Sequence, residues 1–315
     1  MNSPRDIHDH MKTNLLSAIA ALAISCSLPA VAKADETVVL APSSQWQLNY
    51  AEDSCRLGRS FGEGEQKSLL YFERYEPSDG FMMVAAGEPL SSRSRNNIKF
   101  RFGPAGDAEW REREVGVGDI GGYKPALIFS TTTLVPLENV RENGDFARDF
   151  DPERDAEMQL RVDVSPETEQ AIEWLEIKRA RAAPVRFELG SMGEPMAALR
   201  QCTDELLGHW GIDVAAHKEL TRPVVPASNP GRWLSSKDYP ADLLRAGEQG
   251  IVKFRLSVDA AGKPTQCHIQ KSTRPEGFDD AVCKALMRNA EFEPALDKNG
   301  EPIASYWHST VRFQV

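Results

Sequence analysis

Positive charge is in short supply in this chain. Its 315 residues hold 37 Lys+Arg against 47 Asp+Glu, a formal net charge of −10. Phosphate backbones and anionic membrane surfaces both call for a basic face, so nucleic acid and a polybasic membrane contact are excluded for the chain at large. Histidine is sparse too, at 6 residues. His209, His217, His268 and His308 are scattered and read as surface or packing residues. No two cysteines stand in C-x-x-C spacing and none has a His at zinc-ligand distance, so metal and dithiol readings fall away. Internal repeats and long low-complexity tracts are absent. What is present is 41% hydrophobic residues, too many for a disordered chain, over a length that suggests about two domains.

Enzyme signatures are missing as well. Gly116-Val117-Gly118-Asp119-Ile120-Gly121 is a formal G-x-G-x-x-G, but Gly122-Tyr123-Lys124-Pro125 and a β-like run follow it. Pyrophosphate binding needs a helix N-terminus there, so the stretch reads as a glycine-rich turn. Gly190-Ser191-Met192-Gly193 lacks the spacing of a nucleophile elbow. Carboxylates are plentiful, but no spacing isolates an acid/base pair. The expectation is a non-enzymatic protein with no cofactor and no metal, an envelope hydrolase in the N-terminal region being the lesser alternative.

The start of the chain reads as a targeting segment. Lys12 precedes an uncharged apolar run from Leu15 to Ala32, then Pro29 and the small-residue sites Ala30-Val31-Ala32 and Ala32-Lys33-Ala34. That order predicts a secretory signal, with Met11 as its effective start and cleavage near Ala32 or Ala34. Two rivals remain: an uncleaved inner-membrane anchor, which needs ~20 apolar residues, and a lipoprotein through Cys26, which Ala23 fits poorly. Export into an oxidising compartment makes Cys55, Cys202, Cys267 and Cys283 an even set that suggests two disulfides, with three connectivities open.

Proline punctuation divides the remainder of the chain. Residues 221–236 are expected to be a Pro-rich linker, extended at ~3.1 Å per residue. Upstream, residues 35–220 read as a β-rich domain of unknown role. Aromatic and β-branched runs recur between turn signals at 46–50, 68–75, 81–86, 98–103, 126–135, 158–165 and 185–190. Ser165-Pro166-Glu167 predicts a helix from Thr168 to Arg181. A second helix is predicted from Pro195 to Trp210, with Met196, Leu199, Leu206 and Trp210 on one face and Cys202 near it. A bond from Cys202 to Cys55 would tie that helix to an early strand and contribute up to ~5 kcal/mol. The acid-rich run Glu138 to Glu157 reads as a solvated loop.

Residues 237–315 are more legible. Tyr239-Pro240 opens a short helix that closes by Gly250. In the strand Ile251–Asp259, Val252, Phe254, Leu256 and Val258 alternate with Lys253, Arg255 and Ser257. A turn over Asp259-Ala260-Ala261-Gly262 puts Gly where positive φ is needed. A strand from Pro264 to Ser272 and a helix from Phe278 to Ala290 come next. After a turn at Asp297–Gly300 the last strand alternates Trp307, Ser309, Val311 and Phe313 with Tyr306, His308, Thr310 and Arg312. The whole is expected to be α+β, a β-rich region followed by an α-β-β-α-β module with an antiparallel sheet.

In order and spacing, Tyr239-Pro240, the Gly250-led strand, Gly262, Ser272, the helix FDDAVCKAL, Phe292-Glu293-Pro294-Ala295, Gly300 and the final strand resemble the C-terminal domain of the TonB family. The resemblance places Cys267 and Cys283 where a variant of the fold would staple its second strand to its second helix, worth ~3 kcal/mol. It implies a periplasmic protein that grips outer-membrane receptors or other envelope partners by β-strand addition and takes part in energy-coupled transport. The implied surface is Tyr306, His308, Thr310, Arg312 and Phe313, with Tyr239 and Pro240 nearby; a homodimer through the last strand is the competing use of that edge. Three departures point instead to a binding or scaffold protein without energy coupling: the apolar run has no His, the Pro-rich stretch is short, and Asp242 follows Tyr-Pro-Ala where a basic residue is usual. From Tyr239 onward, ten acidic and ten basic residues balance, so the acidity lies upstream and any cationic partner belongs there.

Overall fold

The structure, a computed structural model, describes residues 36–91, 98–104, 108–113, 115–136, 164–273 and 275–315. The targeting segment with its cleavage sites and Cys26, the acidic run at 138–157 and most of the strand expected at 158–165 lie outside the described residues.

Alternating apolar and polar residues build two facing sheets. The chain runs through β1 (Val38–Leu40), β2 (Gln47–Tyr50), β3 (Cys55–Phe61), β4 (Ser68–Arg74), β5 (Phe81–Gly87), β6 (Ile98–Pro104), β7 (Arg111–Arg113), β8 (Gly116–Ile120), β9 (Tyr123–Thr132), β10 (Ile172–Lys178) and β11 (Val185–Glu188). One sheet has the order β2-β3-β4-β5-β9-β8 and the other β1-β11-β10-β6-β7. Period-2 alternation sends Leu57, Phe61, Leu70, Phe72 and Met83 of the first sheet toward Phe100, Phe102, Leu175 and Phe187 of the second. Phe61 meets Phe187 edge-on at 5.2 Å, and Phe100 meets Phe129 at 5.2 Å. Each buried Phe contributes about 1.5–3 kcal/mol, which makes this layer the main source of the sandwich's stability. The formal G-x-G-x-x-G forms β8 and the tight turn at Gly121 and Gly122, both at positive φ, and leads into β9.

The helix expected over Thr168–Arg181 is corrected by the structure. Only α1 (Pro166–Ala171) is helical, started by the Ser165 side chain, which accepts from the Thr168 amide. The chain then becomes β10, held between β6 and β11. Ile172, Leu175 and Ile177 are spaced ambiguously between helix and strand; pairing on both sides and β-branching decide for the strand. The next helix, α2 (Gly193–His209), forms where its apolar face predicts, and buries Met196, Leu199, Cys202 and Leu206 against the sandwich. Cys202 is bonded to Cys55 at the start of β3. A short α3 (Val214–Lys218) comes next, capped by Asp213 Oδ1, which accepts from the Ala215 and Ala216 amides.

A two-residue strand, β12 (Val225–Pro226), precedes the C-terminal elements α4 (Ala241–Ala246), β13 (Gly250–Val258), β14 (Pro264–Ser272), α5 (Gly277–Asn289), β15 (Phe292–Glu293), β16 (Ala295–Leu296), β17 (Pro302–Ile303) and β18 (Ser305–Phe313). Their main sheet has the order β14-β13-β18, antiparallel throughout. Phe278, Val282, Ala285 and Leu286 of α5 cover Val252, Phe254, Leu256 and Val258 of β13, as the alternation predicts. Cys267 of β14 is bonded to Cys283 of α5. Gly262 has φ 78°, and a Cβ there would stand 1.9 Å from the Phe292 carbonyl oxygen, so the β13–β14 turn needs glycine twice over.

The Pro-rich stretch 221–236 is not a free spacer. β12 pairs with β15, the Thr221 amide donates to the Leu296 carbonyl, and Val224 and Trp233 are buried in the C-terminal core. Proline keeps this chain extended, and an extended chain pairs readily with a short edge. Trp233 stacks edge-on against Phe292 at 5.1 Å and Trp307 at 5.3 Å, which draws the stretch inward. All described residues pack as one compact unit with separate cores for the sandwich and the C-terminal module.

Candidate functional site

β18 pairs with β13 along its whole length, from Gly250↔Phe313 to Val258↔Ser305, and no described strand lies on its other side. It is a nine-residue edge whose outward N–H and C=O groups can template a further strand. Alternation splits its side chains. Trp307, Val311 and Phe313 face the module core, whereas Tyr306, His308, Thr310 and Arg312 face the opposite way.

The residues nominated from sequence fall into three groups. Phe313 stacks on Phe278 at 4.2 Å, and Tyr239 packs edge-on against both while its hydroxyl donates to the Glu248 carbonyl. These rings, with Pro240 as the cap residue of α4, form the module's packing at the far end of β18. Thr310 and Arg312 are exposed. Tyr306 and His308 lie against the sandwich.

That last contact was invisible in the sequence. The outer face of the module sheet is cationic, and carboxylates of the sandwich meet it. Lys271 Nζ lies 3.2 Å from Glu73 Oε2, while Glu73 Oε1 also accepts from Ser54 Oγ at 3.0 Å and Arg56 Nη2 at 2.8 Å. Glu76 stands 3.5 Å from His308 Nε2 and 3.9 Å from Lys253 Nζ. Arg255 pairs with Asp53 at 3.9 Å and lies 4.0 Å from the Trp210 ring centroid. Gln270 Nε2 donates to the Tyr75 carbonyl at 3.1 Å, and Lys253 sits over the Tyr75 ring. Trp210 and His217, from the end of α2 and from α3, pack on Tyr306 at 5.2 and 5.4 Å. The alternating cations Lys253 and Arg255 of β13 are visible in the sequence, but their partners Glu76 and Asp53 carry no matching period.

Burial and pairing compete in these groups. Burial alone would raise the Glu73 carboxyl, but Lys271 and Arg56 outweigh it and hold the pKa below its usual value. The same contest keeps Glu76 low, with His308, Lys253 and Arg74 as the opposing groups. For Asp53 burial wins over Arg255 and the pKa is raised. Burial pushes His308, His268 and His217 below the ordinary imidazole range. His308 is therefore neutral near pH 7, and Lys253 is the standing cation beside Glu76. Among the described residues no group of three or more His, Cys, Asp or Glu could hold a metal ion, and no helix is long and apolar enough to cross a membrane.

A three-stranded antiparallel sheet, backed by one long helix and presenting its last strand as an open edge among the described residues, defines a small α+β module. Residues 235–315 match the family described as Gram-negative bacterial TonB protein C-terminal. Over 85 residues the chain is 36% identical to Protein tonB2 of Pseudomonas aeruginosa, which is 27% of this chain and 30% of that protein. The chain thus spans under a third of that relative's length, and the likeness is confined to its C-terminal domain.

Proposed function

We propose that this is a periplasmic protein, exported by a signal cleaved near Ala32 or Ala34, whose C-terminal module takes up an extended segment of an outer-membrane receptor or other envelope partner. The observation that carries this reading is the edge of β18, nine residues long and paired on one side only among the described residues. Backbone hydrogen bonds supply the affinity of such an addition, and side chains tune it. The role is one of binding and not of catalysis, and the partner segment runs beside Tyr306, His308, Thr310 and Arg312 with Tyr239, Pro240 and Phe313 shaping the far end. The same edge in a second copy is the homodimer alternative. Calorimetry of the full chain with synthetic receptor-derived peptides tests the reading. Binding is expected, and N-methylation of the peptide amides that would donate to β18 is expected to abolish it; equal binding by the methylated peptide sinks the proposal.

Two observations favour use of the module without energy coupling. The Pro-rich stretch is packed through Val224 and Trp233 and lends the module no reach. Lys253, Arg255 and Lys271 of the module sheet are already engaged by sandwich carboxylates. On this reading the sandwich and the module act as one binding body. N-terminal sequencing of the exported protein separates the two: a mature start at Lys33 or Asp35 supports a free periplasmic binding protein, and retention of residues 15–32 supports a transducer.

A further inference from the structure

Three rings from two parts of the molecule stand in a column along the outer face of β18. His217 of α3 lies parallel to Tyr306, at 5.4 Å and 18°. Tyr306 in turn leans on His308, the next outer-face residue of the strand, at 6.2 Å and 29°. Trp210 touches Tyr306 edge-on, at 5.2 Å and 69°, and its ring also lies beneath Arg255 of β13. The faces of the Tyr306 ring are thus occupied along the strand, and Trp210 occupies its β13 side. β18 itself is unpaired among the described strands on the side away from β13, so a strand added there runs beside Tyr306.

We infer that this column, completed by His217 from outside the TonB-like module, reads one side chain of the partner segment and selects an aromatic residue there. The inference rests on strand addition at β18 as the module's activity. A strand added to that edge places the residue opposite Tyr306 on the same face, with its Cβ about 4.5–5.5 Å away in either chain direction. It then meets ring edges, whose positive rim favours the negative face of another ring in an edge-to-face contact. Glu76, Lys253 and Arg255 are engaged with one another and with Asp53 and His308, so charged side chains of the partner gain little at this position. Selectivity at this point comes from the N-terminal part of the chain, which the module by itself lacks.

The test is selection of random peptides of about ten residues, a full strand's length, on the full-length protein and on its H217A and H217F variants. Peptides selected by the unaltered protein are expected to share one aromatic position. Changing that residue to Ser is expected to weaken binding about three- to tenfold, the range of an aromatic pair. H217A is expected to bind the Ser and aromatic peptides alike, and H217F, which restores a ring, to recover the preference. An aromatic preference of the same size in H217A, or none in the unaltered protein while peptides still bind, overturns the inference. If no peptide binds any of the three proteins, strand addition itself falls and takes this reading with it.

Discussion

Glu73 is a buried carboxylate that ties Lys271 of the module to Ser54 and Arg56 of the sandwich. It is 3% exposed and accepts from Ser54, Arg56 and Lys271. Its partners Arg56 and Lys271 remain 44% and 46% exposed, so water can solvate them once the carboxylate is gone. Glu73→Ala is therefore expected to cost about 1–3 kcal/mol, nearer the lower figure, by denaturant titration. Because its folded pKa is depressed, the contribution of Glu73 is present above its unfolded value near pH ~4.3 and is lost as pH falls through the lower folded value. The E73A variant should accordingly show a flatter loss of stability in acid. Gly262 gives a backbone counterpart. Its φ of 78° and the Phe292 carbonyl 1.9 Å from an added Cβ make G262A costly by at least about 1–3 kcal/mol, measured by thermal melting. That glycine was legible in the sequence, since it closes a four-residue turn between two alternating strands. Glu73 was not, because its value depends on Lys271, which is remote in the chain.

Elements differ in how much of their structure was local. α2, α5, β13 and β18 form where their periodicity predicts, because one face of each is apolar and its burial needs no knowledge of the partner. β10 does not, since its apolar residues suit either period and the choice is made by β6 and β11 on either side. The disulfides staple elements of both kinds: Cys55–Cys202 joins α2 to β3, and Cys267–Cys283 joins β14 to α5. Loop-closure entropy predicts that C267A/C283A costs about 3 kcal/mol and C55A/C202A up to about 5 kcal/mol, by denaturant unfolding of the oxidised proteins. The contact between the module sheet and the sandwich carries a pH dependence of its own. His308 faces Glu76 and Lys253, His268 faces Arg255, Asp53 and Glu52, and His217 faces Asp204. All three have folded pKa values below the imidazole norm, chiefly through burial. Their contribution is complete above about pH 6.5 and is lost as pH falls through the lower folded values. Protection factors in β13 and β18, corrected for the intrinsic pH dependence of exchange, should therefore fall as pH drops below about 6.5, with the Phe-rich layer of the sandwich unaffected.

At the scale of the molecule, two cores with separate sequence patterns are locked together by charge. The sandwich is acidic and the module is balanced overall, but three of its cations, Lys253, Arg255 and Lys271, share one sheet face, where Glu76, Asp53 and Glu73 take them up. The double variant E73Q/E76Q is expected to free the module from the sandwich while both cores stay folded. Small-angle scattering should then show a larger radius of gyration with little change in circular dichroism; an unchanged radius would mean that the Trp210, His217 and Tyr306 contacts suffice. The excess of acid upstream of Tyr239 was readable from composition, and with it the expectation of a cationic partner for that region. The order of strands and helices in the module, its likeness to the TonB C-terminal domain and the turn at Gly262 were likewise determined by the sequence alone, because alternation and turn chemistry act over a few neighbouring residues. Only the tertiary structure decided that Asp53, Glu73 and Glu76 meet cations of the same chain, that the proline stretch is packed, and that Tyr306 and His308 share their face of β18 with His217. Those outcomes depend on which distant surfaces meet, and burial and charge pairing across such surfaces leave no periodic mark on either segment.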